Sequence, residues 1–267
     1  MIVFPNAKIN LGLFITEKRT DGFHNLESLF LPIPLCDILE VTVTTEDTSL
    51  VCTGESSDIP TEKNIVYKAW KLLQECYGIG PVKIHLHKII PSGAGMGGGS
   101  SDGSFMLKAL NELFQLNLSV MQLEDFAAQL GSDCPFFINN TASLVTGRGE
   151  GVKPIDFNLE GKYLMVVNPG IYISTAQAFQ GIQPLPSNFN WKDFIQHKDF
   201  EKFELRNDFE HGVFQLYPEI AEIKSAFLKA GAIYSSMSGT GSTVYALFNE
   251  EPQIEWHENY FSRTFLL

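Results

Sequence analysis

The sequence predicts an α+β protein built as two domains. Segments with strand periodicity and segments with helical periodicity follow one another without a strict repeat, a pattern typical of mixed α+β domains. The chain has 267 residues, of which 44% are hydrophobic, enough for two separate cores. A glycine-rich turn at residues 147–151 ends the first half of the chain, and the sequence pattern changes after it. We therefore expect an N-terminal domain over residues 1–157 and a smaller C-terminal α+β domain over residues 158–267.

The first elements follow from periodicity and from capping residues. Apolar and polar residues alternate over residues 7–13, which predicts a strand with one apolar face and one face that carries Lys8. A lysine at such a position is usually solvated. Helical spacing over residues 64–77 predicts a helix, with Asn64 placed to cap its start and Gly78 just past its end.

The remaining elements rest on the same signals. Ser119 and Gln122 form a capping-box pattern that opens another helix. His85 and His87 alternate with apolar residues in a strand, where we expect a solvated face rather than metal ligands. Further strands are predicted at residues 39–44, 82–87, 142–146, 163–167, 232–236 and 244–248, and further helices at residues 105–114, 176–179 and 219–230.

The charge balance argues against a nucleic-acid partner. The formal net charge is -12 at pH 7, and no cluster of Lys and Arg reverses it locally. An acidic protein can still hold a nucleotide where backbone N–H groups, a helix N-terminus and a metal ion supply positive potential.

Cysteine usage and hydropathy favour a cytoplasmic enzyme. The four cysteines are widely spaced and form no C-x-x-C pair, so reduced, buried thiols are expected rather than a zinc site or a disulfide framework. Polar residues interrupt the first apolar residues before a signal-peptide core can form. No stretch reaches the roughly 18 apolar residues that span a bilayer, so no membrane partner is expected.

A glycine-rich segment carries the strongest chemical signal. Five glycines fall within residues 93–99, between a predicted strand and a predicted helix, in the run Pro91-Ser92-Gly93-Ala94-Gly95-Met96-Gly97-Gly98-Gly99-Ser100-Ser101-Asp102. Such a run lets the backbone approach a ligand, and the helix N-terminus beyond it favours phosphate oxygens. It is neither a P-loop nor a dinucleotide fingerprint. The alternative is a merely flexible loop.

Several motifs together resemble the GHMP kinases, named for galactose, homoserine, mevalonate and phosphomevalonate kinases. They cover nearly the whole chain in the family's order: residues 5–11 (PNAKINL), 21–24 (DGFH), 95–102 (GMGGGSSD), 133–137 (DCPFF), 207–210 (NDFE) and 238–242 (SGTGS). The resemblance implies the GHMP kinase fold, with ATP and Mg²⁺. The Gly22-Phe23-His24 element points to the branch that phosphorylates the erythritol 2-hydroxyl of a cytidyl diphosphate sugar alcohol, in the non-mevalonate isoprenoid route.

The resemblance also assigns the chemical step. It implies that Asp133 orients or deprotonates the attacking hydroxyl, and that Lys8 stabilises the developing charge. The alternative for Asp133 is a helix N-cap, because Asp-x-Pro commonly opens a helix. The alternative for Lys8 is a solvated lysine. The resemblance leaves the magnesium ligands unidentified.

Binding roles follow in the same way. The resemblance assigns ATP binding to residues 91–101 and Asn64. It assigns acceptor binding to Asn10, Phe23, His24, Asp133, Gly239 and Thr240, although the motif at residues 238–242 as a whole is expected to close on the nucleotide side.

Two departures from the family pattern stand out. Family members usually carry Tyr where this chain has Phe23, so stacking on cytosine should survive while a phenolic hydrogen bond is lost. Gly103 and Ser104 stand where two alanines are usual, which should weaken the start of the helix slightly. Two other functions are weighed: another GHMP kinase of the homoserine or mevalonate type, and a non-catalytic nucleotide- or RNA-binding protein. The Phe23-His24 element argues against the first, and the pair Lys8 and Asp133 argues against the second.

Overall fold

The computed structural model of the chain describes residues 1–55 and 59–267. Its strands are β1 (Ile2–Val3), β2 (Asn6–Lys18), β3 (His24–Cys36), β4 (Ile38–Val43), β5 (Ser49–Gly54), β6 (Val82–Lys88), β7 (Ser143–Gly147), β8 (Gly151–Pro154), β9 (Tyr163–Asn168), β10 (Tyr234–Met237), β11 (Val244–Phe248) and β12 (Phe261–Leu266). Its α-helices are α1 (Ile65–Tyr77), α2 (Gly98–Leu113), α3 (Val120–Leu130), α4 (Cys134–Asn139), α5 (Thr175–Ala178), α6 (Trp191–His197), α7 (Glu210–Leu216) and α8 (Pro218–Lys229). The predicted α+β class is confirmed.

The described residues form two compact units. The first comprises Met1–Lys8, Pro32–Ser92 and Gly97–Thr141, and the second comprises Ile9–Leu31, Gly93–Met96 and Ala142–Leu267. Both units are discontinuous in sequence, whereas the sequence suggests a single division after residue 157. That division stays a prediction.

In the first unit, a sheet of order β1-β4-β6-β5 carries helices on its apolar face. The strand β5 runs parallel to β6, and β4 runs antiparallel to it. Buried side chains of β4, β6, α1 and α2 form the core, among them Leu39, Val41, Ile84, Leu86, Val66, Ala69, Leu73, Met106 and Leu110. As predicted, Asn64 caps α1, accepting a 3.1 Å bond from the Val66 N–H, and Gly78 ends it in the left-handed region.

In the second unit, an antiparallel sheet of order β10-β11-β9-β12 packs against α7 and α8. The core there includes Val167, Val213, Ile220, Ile223, Phe227 and Val244. A further sheet has the order β2-β3-β7-β8.

Both faces of the N-terminal strand are buried, so the alternative of a solvated Lys8 is wrong. Every residue of β2 from Asn6 to Ile15 is buried, and Lys8 is only 3% exposed. Alternation predicted a half-exposed strand, but tertiary packing covers both faces.

The long strand β3 is not predicted from the sequence. Pro32 and Pro34 lie within this strand, and proline is usually excluded from a strand interior.

The expectation of buried cysteines is only partly right. The Cys76 thiol is exposed, Cys36 and Cys52 are half-buried, and Cys134 is buried. All four are free thiols, as expected.

Candidate active site

The glycine-rich segment leads from the end of β6 into the start of α2. Gly97 precedes the helix in the left-handed region, with φ of 69°, and no side chain caps the helix among the described residues. The first intrahelical bond runs from the Ser101 N–H to the Gly97 carbonyl, so the preceding N–H groups have no acceptor within the helix. Together with the helix dipole, such groups favour an anion.

The physical requirement for glycine differs from position to position in this segment. A Cβ at Gly95 would lie 2.0 Å from the Ser238 carbonyl oxygen, within the second unit, so protein packing alone demands glycine there. A Cβ at Gly99 would meet nothing within 4 Å. Gly95 is therefore required by packing within the protein, whereas the open space at Gly99 is what a backbone-bound ligand requires.

Side chains of the segment are divided between surface and core. Ser92, Gly93 and Gly99 are exposed, whereas Ala94 and Met96 are buried. Contact of Ala94 or Met96 with a nucleotide would therefore involve the backbone. The Ser101 hydroxyl is also buried, without a hydrogen-bond partner among the described residues.

The first unit brings the two predicted catalytic residues together. The Lys8 Nζ atom lies 3.4 Å from Oδ2 of Asp133, although 125 positions separate them in the sequence. The Lys8 side chain is 4% exposed and that of Asp133 is 33% exposed. Burial lowers the pKa of Lys8 below its ordinary 10.5, and the Asp133 carboxylate offsets this only partly.

The Asp133 side chain does not cap α4. Asp133 precedes the helix with Pro135 in its first turn, but its carboxylate makes no capping hydrogen bond. Asp133 thus occupies the N-cap position without capping the helix through its side chain, and the half-exposed carboxylate remains available to a ligand. A Cβ at Gly97 would lie 3.2 Å from Lys8 Cγ and 3.0 Å from Phe137 Cζ, so the end of the glycine-rich segment lies against the Lys8 side chain.

Within the second unit, a loop between β10 and β11 contacts residues 93–96. The Ser238 hydroxyl donates a 2.9 Å bond to the Gly95 carbonyl, and the Thr243 N–H donates to the Ala94 carbonyl. The loop is held by Asn207, whose side-chain amide donates 2.8 Å bonds to the carbonyls of Met237 and Gly239. The motif at residues 238–242 thus supports residues 93–96 of the glycine-rich segment. Gly239 and Thr240 of this motif are half-buried.

The residues predicted to hold cytosine also lie in the second unit. The His24 ring stacks on Phe179, with centroids 4.7 Å apart and planes inclined by 21°. Phe23 is 53% exposed, and the Arg148 guanidinium lies 4.7 Å from its ring centroid. Burial lowers the pKa of His24 below its ordinary 6.5, which favours the neutral imidazole. Sequence reasoning missed Phe179 and Arg148, because isolated residues in helices and turns carry no motif.

Two other predicted ligand residues have structural partners. Asn10 is 1% exposed and donates a 2.9 Å bond to the Ser28 hydroxyl, and its carbonyl accepts a 2.5 Å bond from the Tyr245 hydroxyl. Asn64 is 4% exposed, and its side-chain oxygen caps α1. Their binding roles stay predictions.

Gly103 is explained by packing rather than by helix propensity. A Cβ there would lie 2.8 Å from Ile65 Cγ1, so glycine lets α1 approach α2 closely. Ser104 donates hydrogen bonds to the carbonyls of Ser100 and Cys134, at 2.8 and 2.7 Å. Both departures from alanine thus have specific packing roles at the start of α2.

A separate cavity of about 540 Å³ lies in the second unit. It is lined by Glu27, Ser28, Leu144, Val145, Thr146, Ser187, Asn188, Phe189, Asn190 and Trp191. None of the predicted catalytic residues lines this cavity.

Two parts of the chain match models of a known protein family. A family model described as "GHMP kinases N terminal domain" matches residues 64–141, and one described as "GHMP kinases C terminal" matches residues 192–259. The chain belongs to the GHMP kinase family. As a GHMP kinase it is an ATP-dependent small-molecule kinase, and the matched N-terminal region contains both the glycine-rich segment and Asp133.

Among GHMP kinases, this chain is similar to several that act on one kind of substrate. A 4-diphosphocytidyl-2-C-methyl-D-erythritol kinase of Bacteroides thetaiotaomicron is 48% identical, covering 98% of this chain and 98% of its own length. One from Cytophaga hutchinsonii is 45% identical over 97% of this chain and 96% of its own. A crystal structure of a 4-(cytidine 5'-diphospho)-2C-methyl-D-erythritol kinase matches with a TM-score of 0.81 at 31% identity, over 92% of this chain and 90% of that one. A homoserine kinase from Cytophaga hutchinsonii, 17% identical over 97% of this chain and 93% of its own, matches with a TM-score of 0.64 and shows the shared fold.

No helix in residues 1–55 and 59–267 combines the length and apolar character needed to cross a bilayer. Within the same ranges, no group of three or more His, Cys, Asp or Glu side chains is arranged to hold a metal ion.

Proposed function

We propose that this GHMP kinase transfers the γ-phosphoryl group of ATP to the 2-hydroxyl of 4-diphosphocytidyl-2-C-methyl-D-erythritol. Relatives at 45–48% identity over nearly the whole chain carry that activity in their names. The observation that supports the chemical step is the pair Lys8 and Asp133, held 3.4 Å apart beside Gly97.

The pair suits a phosphoryl transfer to an alcohol. The acceptor oxygen forms a bond to the γ-phosphorus as the bond to the β-γ bridging oxygen breaks, and ADP leaves. The Asp133 carboxylate accepts the hydroxyl proton, which its partial exposure permits. The Lys8 ammonium stabilises the negative charge that develops near the attacking oxygen. Its burial strengthens that interaction because water is excluded.

Magnesium is expected to arrive with the nucleotide. Mg²⁺ in kinase sites is bound by one or two protein oxygens together with substrate phosphates, rather than by a complete protein cage. The buried, unpartnered Ser101 hydroxyl at the start of α2 is a candidate oxygen ligand. When bound, the ion neutralises charge on the phosphates. A cytoplasmic location remains an expectation from the sequence.

A coupled assay of ADP release tests this function. The acceptors are the cytidyl diphosphate erythritol, its uridyl analogue, homoserine and mevalonate, each at equal concentration with ATP and Mg²⁺. We expect turnover with the cytidyl compound alone, with phosphorus NMR placing the new phosphate on the 2-hydroxyl. Preferential turnover of homoserine or mevalonate would replace the proposal with another GHMP activity.

A further inference from the structure

A buried cluster of three charged residues joins the two ends of the glycine-rich segment. Lys88 is the last residue of β6 and Asp102 lies early in α2, so the five glycines of residues 93–99 lie between them in the sequence. The Lys88 Nζ atom donates a 2.7 Å bond to Oδ2 of Asp102, and it also bonds Oδ2 of Asp37. All three residues belong to the first unit.

Asp37 fixes the backbone at the same place. Its Oδ1 atom accepts bonds from the N–H groups of Ile89 and Ile90, at 2.6 and 2.9 Å. These two residues come immediately before Pro91, where the segment begins. The carboxylate therefore holds the exit from β6 in one conformation, while Lys88 connects it to the helix on the far side of the segment.

Burying these three charged side chains costs desolvation free energy. Asp37, Lys88 and Asp102 are 0%, 5% and 2% exposed. Replacing a buried ionic cluster by apolar side chains is often neutral or stabilising, so such a cluster is weak support for the fold by itself. Oδ1 of Asp102 also has no hydrogen-bond partner among the described residues. The hydrogen bonds of the cluster connect the end of β6 to α2 in one fixed geometry. Apolar side chains would pack at the same place without fixing that geometry.

We propose that Asp37, Lys88 and Asp102 are positioning residues that set the distance and orientation between the two ends of the glycine-rich segment, and thereby determine ATP affinity. Asp102 itself faces away from solvent and binds Lys88, so it acts through the backbone rather than by touching a nucleotide. The inference rests on the proposed function, because it takes the segment to be the ATP site.

The decisive variant replaces the ionic connection by apolar side chains of similar size. Lys88→Met/Asp102→Leu removes two opposite charges and leaves Asp37 with its two backbone donors. Because the buried Asp37 carboxylate loses its Lys88 partner, we expect the melting temperature to fall, and affinity is measured well below the transition. Titration calorimetry with a non-hydrolysable ATP analogue should show a Kd increased about 10- to 100-fold, the scale of one lost hydrogen bond to a charged phosphate. The KM for ATP should rise while kcat at saturating ATP changes little.

Two controls accompany it. Lys71→Met/Glu75→Leu makes the same substitution types at an exposed pair on α1, where the charged atoms are 3.9 Å apart, and should leave the Kd unchanged. Asp102→Asn keeps an acceptor for Lys88 and should retain the affinity that Asp102→Leu loses. That pair of single variants decides the question if the double variant does not fold.

Other results would overturn the inference. A folded Lys88→Met/Asp102→Leu protein with wild-type affinity would reduce the cluster to a part of the fold, as would equal affinities of Asp102→Asn and Asp102→Leu. If the wild-type protein does not bind the analogue at all, the proposed function fails first and the inference fails with it.

Discussion

Lys8 and Asp133 form an ion pair in which one partner is buried and the other is half-exposed. Their charged atoms are 3.4 Å apart, and the exposed fractions of the side chains are 4% and 33%. The asymmetry separates two tasks: Asp133 is accessible to a hydroxyl, and Lys8 supplies a positive charge from a position that water cannot screen. The two residues therefore invite different experiments.

Asp133→Asn should lower kcat by at least about 10²-fold, because the amide cannot accept the hydroxyl proton. The start of α4 should be unaffected, since the carboxylate makes no capping bond, but the buried Lys8 loses its counter-charge, so we expect a modest fall in melting temperature. The Kd for the ATP analogue should also be retained. Steady-state kinetics and differential scanning calorimetry check this, and near wild-type turnover would remove Asp133 from the chemical step.

Lys8→Met should lower kcat about 10²- to 10³-fold without destabilising the protein. Burial lowers the pKa of Lys8, so keeping it charged costs folding free energy at neutral pH. The cost is full below the lowered pKa of the folded state, decreases as pH rises above it, and disappears above the ordinary pKa of 10.5. Methionine removes it while filling similar volume. We expect a melting temperature at or above wild type at pH 7, and a clear fall in melting temperature would contradict this account of Lys8.

Gly99 offers the sharpest test of nucleotide binding by the glycine-rich segment. Gly99→Ala and Gly99→Leu place side chains in open space within α2, so the fold should tolerate them and gain up to about 1 kcal/mol from helix propensity. A phosphate approaching the backbone would be excluded, and the Kd for the ATP analogue should increase with side-chain size.

Gly212→Ala is the matched control for this series, since Gly212 lies in α7 and an added Cβ would meet only ordinary contacts at 3.5 Å. It should gain stability without loss of affinity. Gly97→Val is unsuitable, because its left-handed φ and its contacts with Lys8 and Phe137 would strain the fold. Stable Gly99 variants that bind ATP normally would refute the loop assignment.

The acceptor is tested at Phe23, His24 and Phe179. Base stacking on an aromatic is worth about 1 to 3 kcal/mol, so Phe23→Ala should raise the acceptor Kd roughly 5- to 150-fold. Phe179→Ala should have a similar effect because it removes the ring on which His24 stacks. Phe23→Tyr should be tolerated, and His24→Ala should reduce discrimination between cytosine and uracil.

Calorimetric titration with the acceptor and, separately, with the ATP analogue separates these effects from misfolding. The ATP analogue should bind all four variants as it binds wild type. Equal losses for both ligands would indicate a general defect, and unchanged acceptor binding would remove the cytidyl assignment.

Asp102 should make stability depend on pH. Burial raises its pKa from 3.8 to about 7, because Lys88 only partly offsets the cost of its charge. The folded state therefore holds this proton more tightly than the unfolded state, and stability falls as pH rises from about 4 through 7. The scale is about 1.4 kcal/mol per pKa unit. Asp37, Lys88 and the Cys52 thiol are the titratable groups that interact with it.

Urea unfolding at pH 5 and pH 8 checks this, with wild type losing more stability than Asp102→Asn between the two. The exposed Glu75→Gln serves as the control and should follow wild type. Parallel curves for wild type and Asp102→Asn would show that Asp102 is ionised throughout.

The sequence by itself determined the elements whose signals are local. The cap at Asn64, the left-handed end at Gly78 and the capping box of Ser119 and Gln122 lie where the sequence places them. These features involve residues within one or two turns of each other, so neighbouring side chains suffice to specify them. The motif order also sufficed to identify the family and to nominate Lys8 and Asp133.

Tertiary structure alone decided burial and long-range pairing. Lys8 lies on a strand whose alternation suggests solvent exposure, yet packing covers both faces. Lys88 shows no sequence signal of its bonds to Asp37 and Asp102, which lie 51 and 14 positions away. Gly95 and Gly99 look equivalent in the sequence, but one is forced by the Ser238 carbonyl and the other faces open space. Periodicity reports the environment along one element, whereas these properties depend on which other element packs against it.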